Sequence, residues 1–275
     1  MSPPVRLHHI ASGAGPPLLL LHGLFDSLET WEAVVPTLSG HFRVYAVDLP
    51  GFGSSPLPPD WRESLSGMID SVTAFLHEQN IAQISLVGNS MGGSLALALA
   101  QAYPKRVHKL VLLNPYGLPK IPQAVENARR PIVGKILPYV LAAPVMKRCI
   151  KGIFLRSLHN QALLTPTRIS RVAKPFSSLR QRQNLFRFLR AISPEKILEI
   201  DAGLSKIRQS VLILWGKEDR WLTKAHCQHL SQGLSAAEIL EIDACGHLPQ
   251  IEKPETVAAA VISFLLQENR GKSTP

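Results

Sequence analysis

The chain has 275 residues, 45% of them hydrophobic and 18% charged, which supplies a large core and excludes a disordered polyelectrolyte. Thirty Lys and Arg against 20 Asp and Glu leave a formal charge of +10, a balance that points to an anionic partner and says nothing of fold. Three scattered cysteines, Cys149, Cys227 and Cys245, exclude a disulfide scaffold and read as free thiols of a reducing compartment. The N-terminal stretch holds no signal core, and the four leucines at 18–21 are too few for a membrane span. A cytoplasmic protein is therefore expected.

Short apolar runs ending in Gly, Pro, Asp or Asn predict strands at 5–10, 17–21, 43–47, 84–87, 109–113, 210–214 and 238–242. Several, such as ISLVG and VLILWG, are apolar throughout, as strands covered on both faces must be. Amphipathic periodicity predicts helices at 64–78, 91–102, 223–232 and 254–267. Strand–helix alternation of this kind specifies a mostly parallel sheet with right-handed crossovers. The alternation stops at 116–200, where helical periodicity is broken by prolines and no strand is evident. That stretch is expected to be a helical cap inserted into a core made of 1–115 and 201–275, with a disordered tail from 269 on. Between Lys120 and Arg190 the sequence carries fifteen Lys and Arg and a single acid, Glu126, so the basicity belongs to the cap.

The segment Ile84-Ser85-Leu86-Val87-Gly88-Asn89-Ser90-Met91-Gly92-Gly93, followed by SLALALAQAY, reads as strand, G-x-S-x-G and helix. A bare G-x-S-x-G is weak by composition, but its strand and helix make it a nucleophile elbow. Gly88 and Gly92 leave room for a turn that projects Ser90 Oγ above the sheet, over a helix N-terminus. The G-x-G-x-x-G spacing and P-loop lysine of nucleotide-binding domains are both missing. A serine hydroxyl needs a base, and the base needs a carboxylate to hold its tautomer, expected in the chain order Ser, acid, His. Of ten histidines, His247 alone follows a late strand with glycine immediately before it. Asp219, closing the turn from Gly216, is the preferred acid; Glu218 stays open as an alternative, and Asp243 lies too near His247 along the chain. An acid at the end of the strand before the cap is absent, because that strand ends in Asn114.

A tetrahedral oxyanion requires about two preorganised donors. The backbone N–H of Met91 and that of Leu24, in the loop after LLLLHG, are the candidates, with His22 a structural residue of that loop. His226, Cys227 and His229 lack a carboxylate and make an incomplete metal site, so no metal is expected.

HGLFDSLETW, DLPGFGSS, VGNSMGG, WGKEDRW and CGHLPQIEKPE, in this order, resemble the α/β-hydrolase superfamily in its capped, esterase- and lipase-like branch. The resemblance implies an eight-stranded, mostly parallel sheet with helices on both faces and a helical cap. It also implies a Ser90, Asp219, His247 triad, no cofactor, and a structural turn role for Asp48. The activity it implies is hydrolysis of carboxylic esters, or thioesters, with an apolar acyl group through an acyl-enzyme. Carbon–carbon hydrolases of ring-cleavage dienoates share a GNSMGG-like elbow but carry Trp after the catalytic histidine, where this chain has Leu248; they are the alternative enzyme. A non-catalytic receptor of this fold is the alternative from another class.

In the cap, Val145, Ile150, Ile153, Phe154 and Leu158 fall near one helical stripe, suited to roof an acyl pocket. Lys147, Arg148 and Lys151 cluster on another stripe, and Arg180, Arg182, Arg187 and Arg190 repeat the theme. These seven are candidates for gripping an anionic partner, either an acyl carrier protein, as in similar capped esterases of biotin synthesis, or an anionic membrane surface. No nucleic-acid motif accompanies the charge.

Overall fold

A computed structural model describes residues 4–116, 126–127, 130–141 and 143–267. The tail expected to be disordered lies outside them. The described residues build a seven-stranded sheet from β1 (His9–Ser12), β2 (Pro17–Leu21), β3 (Arg43–Val47), β4 (Ile84–Asn89), β5 (Val107–Leu113), β6 (Val211–Gly216) and β7 (Ala237–Ile242). The spatial order is β1-β3-β2-β4-β5-β6-β7, with β1 antiparallel to β3 and every other pairing parallel.

Two expectations are corrected here. The sheet has seven strands where eight were implied, and β1 begins at His9 rather than residue 5. Upstream of it, amides go to side chains: Val5 N–H donates to Ser71 Oγ at 2.9 Å and His8 N–H to Ser55 Oγ at 2.8 Å. The chain there adds no ladder of its own, although His8 O accepts from Asp48 N–H at 2.8 Å.

Strand alternation explains the layers. Leu19 and Leu21 of β2 enter one core with Leu86, Leu110, Leu112, Ile213 and Trp215. Leu18 and Leu20 enter the opposite one with Val87, Val111, Leu113, Leu212 and Leu214. The first core is roofed by α2 (Ser64–Glu78) and α3 (Met91–Ala102), the second by α1 (Val35–Leu38), Trp31 and a C-terminal helix. In α2, Met68, Val72, Phe75 and Leu76 form the buried stripe, while Glu63 caps it by accepting from the Leu65 and Ser66 amides at 2.8 and 2.6 Å.

Between β5 and β6 lie α4 (Pro131–Val140), α5 (Ala143–Ser157), α6 (Pro166–Ala173), α7 (Leu179–Arg190) and α8 (Pro194–Ala202). Met146, Ile150, Phe154 and Leu158 are buried, as are Leu185, Phe186, Phe188 and Leu189, all in the core that also holds α2 and α3. Phe188 packs edge-on to Phe52 with centroids 4.9 Å apart and stacks on Trp61. Val145 departs from the expected stripe and is 45% exposed; the i, i+4 row through Met146, Ile150 and Phe154 faces inward instead. After β6 come α9 (Lys224–Gly233), α10 (Pro249–Glu252) and α11 (Pro254–Leu266). Buried Lys109 donates to the carbonyls of Phe264 at 3.0 Å and Gln267 at 2.6 Å, fastening the end of α11.

The chain leaves β2 toward β3 on one side and returns as β4 on the other, so strand order reverses between β2 and β4. Loops following two such strands part at their C-terminal ends and open a crevice. The loop after β2 begins at His22; Ser90 follows β4.

Candidate active site

β4 ends at Asn89 and α3 begins at Met91, so Ser90 alone makes the turn, at φ 51° and ψ −115°. Backbone of this kind is costly for a side-chain-bearing residue and must be held by its surroundings. Ser90 N–H donates to Leu113 O at 3.0 Å, and Ser90 O accepts from Gly93, Ser94 and Tyr116 amides at 2.9, 3.2 and 3.1 Å. The flanking glycines are sterically required. A Cβ on Gly92 would overlap the Leu21 carbonyl, and one on Gly88 the Gly92 carbonyl.

The loop after β2 lies directly against the serine: a Cβ on Gly23 would sit 3.3 Å from Ser90 Cβ. Buried His22 fixes this loop. Its Nδ1 bonds Gly23 O at 2.7 Å and its Nε2 accepts from Leu49 N–H at 2.9 Å, so the ring proton is on Nδ1. Asp48 is buried and braces the same region, accepting from Leu28 N–H and Ser54 N–H, both at 2.8 Å, and contacting His8 Nδ1 at 2.8 Å. Leu24 follows Gly23 in this loop, and Met91 follows Ser90 and opens α3. Neither amide has a hydrogen-bond partner among the described residues.

Three carboxylates compete for His247, and geometry separates them. Asp219 Oδ2 meets His247 Nδ1 at 2.6 Å, with the Asp219 side chain fully buried. Glu218 turns instead to the loop preceding His247, accepting from Cys245 N–H at 2.8 Å. Asp243 is 82% exposed and pairs with Lys217 at 2.7 Å. Asp219 is also fully satisfied: Oδ1 accepts from Trp221 N–H at 2.7 Å and Leu222 N–H at 3.1 Å, and Oδ2 from Asn114 Nδ2 at 2.7 Å. Burial alone would raise this carboxyl, but the charge and hydrogen bond of His247, with the Leu222 and Trp221 amides, hold it below the usual carboxylate range. Because Asp219 is acceptor-only, His247 carries its proton on Nδ1 and keeps Nε2 for exchange.

Four residues that sequence reasoning passed over complete the arrangement. Asn89, fully buried, donates from Nδ2 to Leu113 O and to His247 O, both at 3.0 Å, tying the residue before the serine to His247. Asn114 accepts from Gly216 N–H at 3.0 Å through Oδ1 while Nδ2 holds Asp219. Ser157, closing α5, accepts His247 N–H on its carbonyl at 2.7 Å and Trp221 Nε1–H on its hydroxyl at 2.8 Å. Glu252 accepts from Gly246 N–H at 2.7 Å and Asn160 N–H at 2.8 Å. The helices between β5 and β6 are thus bonded to the base loop. The visible signals were thin: two asparagines ending consecutive parallel strands, and the acid in GHLPQIE.

The seven basic candidates divide. Lys147, Arg148, Lys151 and Arg180 are exposed and Arg190 is half-buried. Arg182 is corrected: it is buried and donates to the carbonyls of Pro138, Phe176 and Ser177 at 3.0, 3.1 and 2.7 Å. Arg187 likewise turns to the Leu57 and Pro58 carbonyls. Both are spent on helix and loop ends and are withdrawn as partner-binding groups. The residues weighed for a metal have other occupations. His226 Nδ1 lies 2.8 Å from Thr223 Oγ1, and His229 Nε2 pairs with Asp201 at 2.5 Å. Cys227 is buried, its thiol pushed up to about 11 by burial.

Asp26, four residues past His22, is buried with Oδ1 on Ser27 N–H at 2.9 Å and Oδ2 unpartnered among the described residues. Burial raises its carboxyl above the usual value, against the opposing pull of His22. An acid whose pKa is raised on folding loses stability as pH climbs through the folded value. Asp26→Asn is therefore expected to raise Tm at pH 7.5 and to leave it nearly unchanged at pH 4, as checked by thermal melts at both.

Residues 16–254 match the family of the alpha/beta hydrolase fold, and the chain belongs to that family. A 2-hydroxy-6-oxo-2,4-heptadienoate hydrolase of Pseudomonas putida is 28% identical over 273 residues, covering 96% of this chain and 93% of that protein. A 2-hydroxymuconate semialdehyde hydrolase of a Pseudomonas species is 29% identical over 269 residues, covering 96% and 91%. Among solved structures, a thermophilic esterase from Thermogutta terrifontis superposes with a TM-score of 0.78 at 25% identity, covering 95% of each chain. The chain is a hydrolase-family protein whose similar proteins include a dienoate hydrolase, a semialdehyde hydrolase and an esterase.

Proposed function

We propose that this protein is a serine hydrolase acting at a carbonyl carbon, with Ser90 as nucleophile, His247 as base and Asp219 as its orienting acid. The observation that carries the proposal is the 2.6 Å contact between His247 Nδ1 and Asp219 Oδ2, tied through Asn89 to a serine held in a strained one-residue turn. His247 Nε2 takes the Ser90 proton as Oγ attacks, and the amides of Leu24 and Met91 receive the oxyanion. The bond to the leaving group then breaks and the leaving atom takes the proton from His247. Water, deprotonated by the same ring, releases the acid and restores Ser90.

The preferred substrate is a 2-hydroxy-6-oxo-dienoate, at which the leaving atom would be carbon. Supporting this, one relative described above is named a 2-hydroxy-6-oxo-2,4-heptadienoate hydrolase and another a 2-hydroxymuconate semialdehyde hydrolase. Carboxylic esters are the second reading, favoured by Leu248 beside the base, buried at 5% exposure and apolar, and by the likeness to an esterase. The deciding experiment mixes the purified protein with 2-hydroxy-6-oxo-hepta-2,4-dienoate and, separately, with p-nitrophenyl esters of two to twelve carbons. Rapid loss of the dienoate absorbance with kcat/KM above that for any ester supports the first reading. Ester turnover with a stable dienoate supports the second, and neither reaction refutes both.

A further inference from the structure

We propose that the helices α4 and α5 form a docking face for anionic lipid bilayers. On α4, Ile132, Ile136, Tyr139 and Val140 are 73%, 53%, 62% and 63% exposed. Their i, i+4, i+7, i+8 spacing places them on one stripe. The helix is held by α7 at its C-terminal end, where Arg182 reaches the Pro138 carbonyl and Gln183 donates to the Tyr139 hydroxyl at 2.9 Å. Leu137 packs on the core, and Ile132 and Ile136 are the stripe's most distant members from that contact. Val145 at the start of α5 adds a further side chain 45% exposed. Large apolar side chains concentrated this way on one short stretch mark an interaction surface, unlike scattered single exposures.

The charge carried by the same two helices selects the partner. Arg130, Lys135, Lys147, Arg148 and Lys151 are all exposed on these two helices or their approach, and Glu126 is the one acid from 120 to 190. A second copy of the chain would bring two such positive faces together. An acidic soluble protein would satisfy the lysines and arginines but leave the stripe in water. An anionic bilayer answers both, with headgroup charge for the basic side chains and the acyl boundary for Ile132 and Ile136. Among the described residues no helix is long and apolar enough to cross a membrane, so the mode is attachment to the surface.

The test is co-sedimentation of the full chain with vesicles of phosphatidylcholine alone or with 30 mol% phosphatidylglycerol, at low and at 0.5 M NaCl. Binding to the anionic vesicles at least tenfold above the zwitterionic ones, and lost in high salt, is the expected result. Ile132→Asp/Ile136→Asp and Lys147→Glu/Arg148→Glu/Lys151→Glu are each expected to reduce it at least tenfold, with circular dichroism and Tm unchanged because these side chains support no core. Equal binding to both vesicle types, or none to either, overturns the proposal. So does an unaltered Ile132→Asp/Ile136→Asp variant, which would assign the face to charge alone and to an acidic protein. A dimer in light scattering that this variant dissolves would assign the stripe to self-association and overturn it too.

Discussion

Ser90→Ala is expected to lower kcat by about five to six orders of magnitude while substrate still binds, measured by single-turnover absorbance and by titration of unconverted substrate. On the proposed mechanism the loss is large because the site has no substitute nucleophile. Neighbouring side chains are committed elsewhere: Ser94 Oγ donates to the Tyr116 carbonyl and Asn89 Nδ2 to two others. A companion variant separates chemistry from architecture. Ser90→Gly removes the same hydroxyl but also the side chain that makes φ 51° expensive. It should therefore be as inactive as Ser90→Ala yet more stable, by about 1 kcal/mol, at the low end of what such backbone strain costs. An active Ser90→Ala variant would remove the foundation of the functional reading.

Asp219→Asn is the second large effect, expected to lower kcat by about 10⁴-fold with little change in fold. The oxygen at Oδ2 accepts from both the His247 ring and the Asn114 amide. An amide group there presents N–H where the ring needs an acceptor, and the imidazole answers by moving its proton to Nε2, the atom that must take one. Glu218→Gln keeps an oxygen for Cys245 N–H and is expected to stay within about threefold of the parent, a contrast that distinguishes the two adjacent acids directly. The same carboxyl contributes to stability. Its pKa is held below the unfolded value, so its stabilisation is complete above about pH 4 to 5 and fades as pH falls through the lowered folded value. The parent should lose Tm more steeply than Asp219→Asn on acidification below pH 4.

The sheet was legible in the sequence because burial on both faces writes an unbroken apolar run, and β2 and β3 fall where expected. The elbow was legible because its glycines are forced by backbone crowding that no other residue type relieves. What escaped were contacts made by short polar side chains to distant backbone. Asn114 looked empty because it holds no charge, yet its amide has an acceptor for one loop and a donor for the acid, a pairing invisible in one dimension. Arg182 and Arg187 failed for the converse reason. Helical periodicity shows which positions share a face but not that carbonyls from 138, 57 and 58 wait there.

The Asn89 bridge to His247 joins positions 158 residues apart. A nascent chain that has emerged through β5 contains Ser90 and its flanking glycines, but Asp219 and His247 are made only after the helices between β5 and β6 and after β6 itself. On the proposed reading, a product terminated before β6 carries Ser90 without its base or its acid, and its hydroxyl is inert.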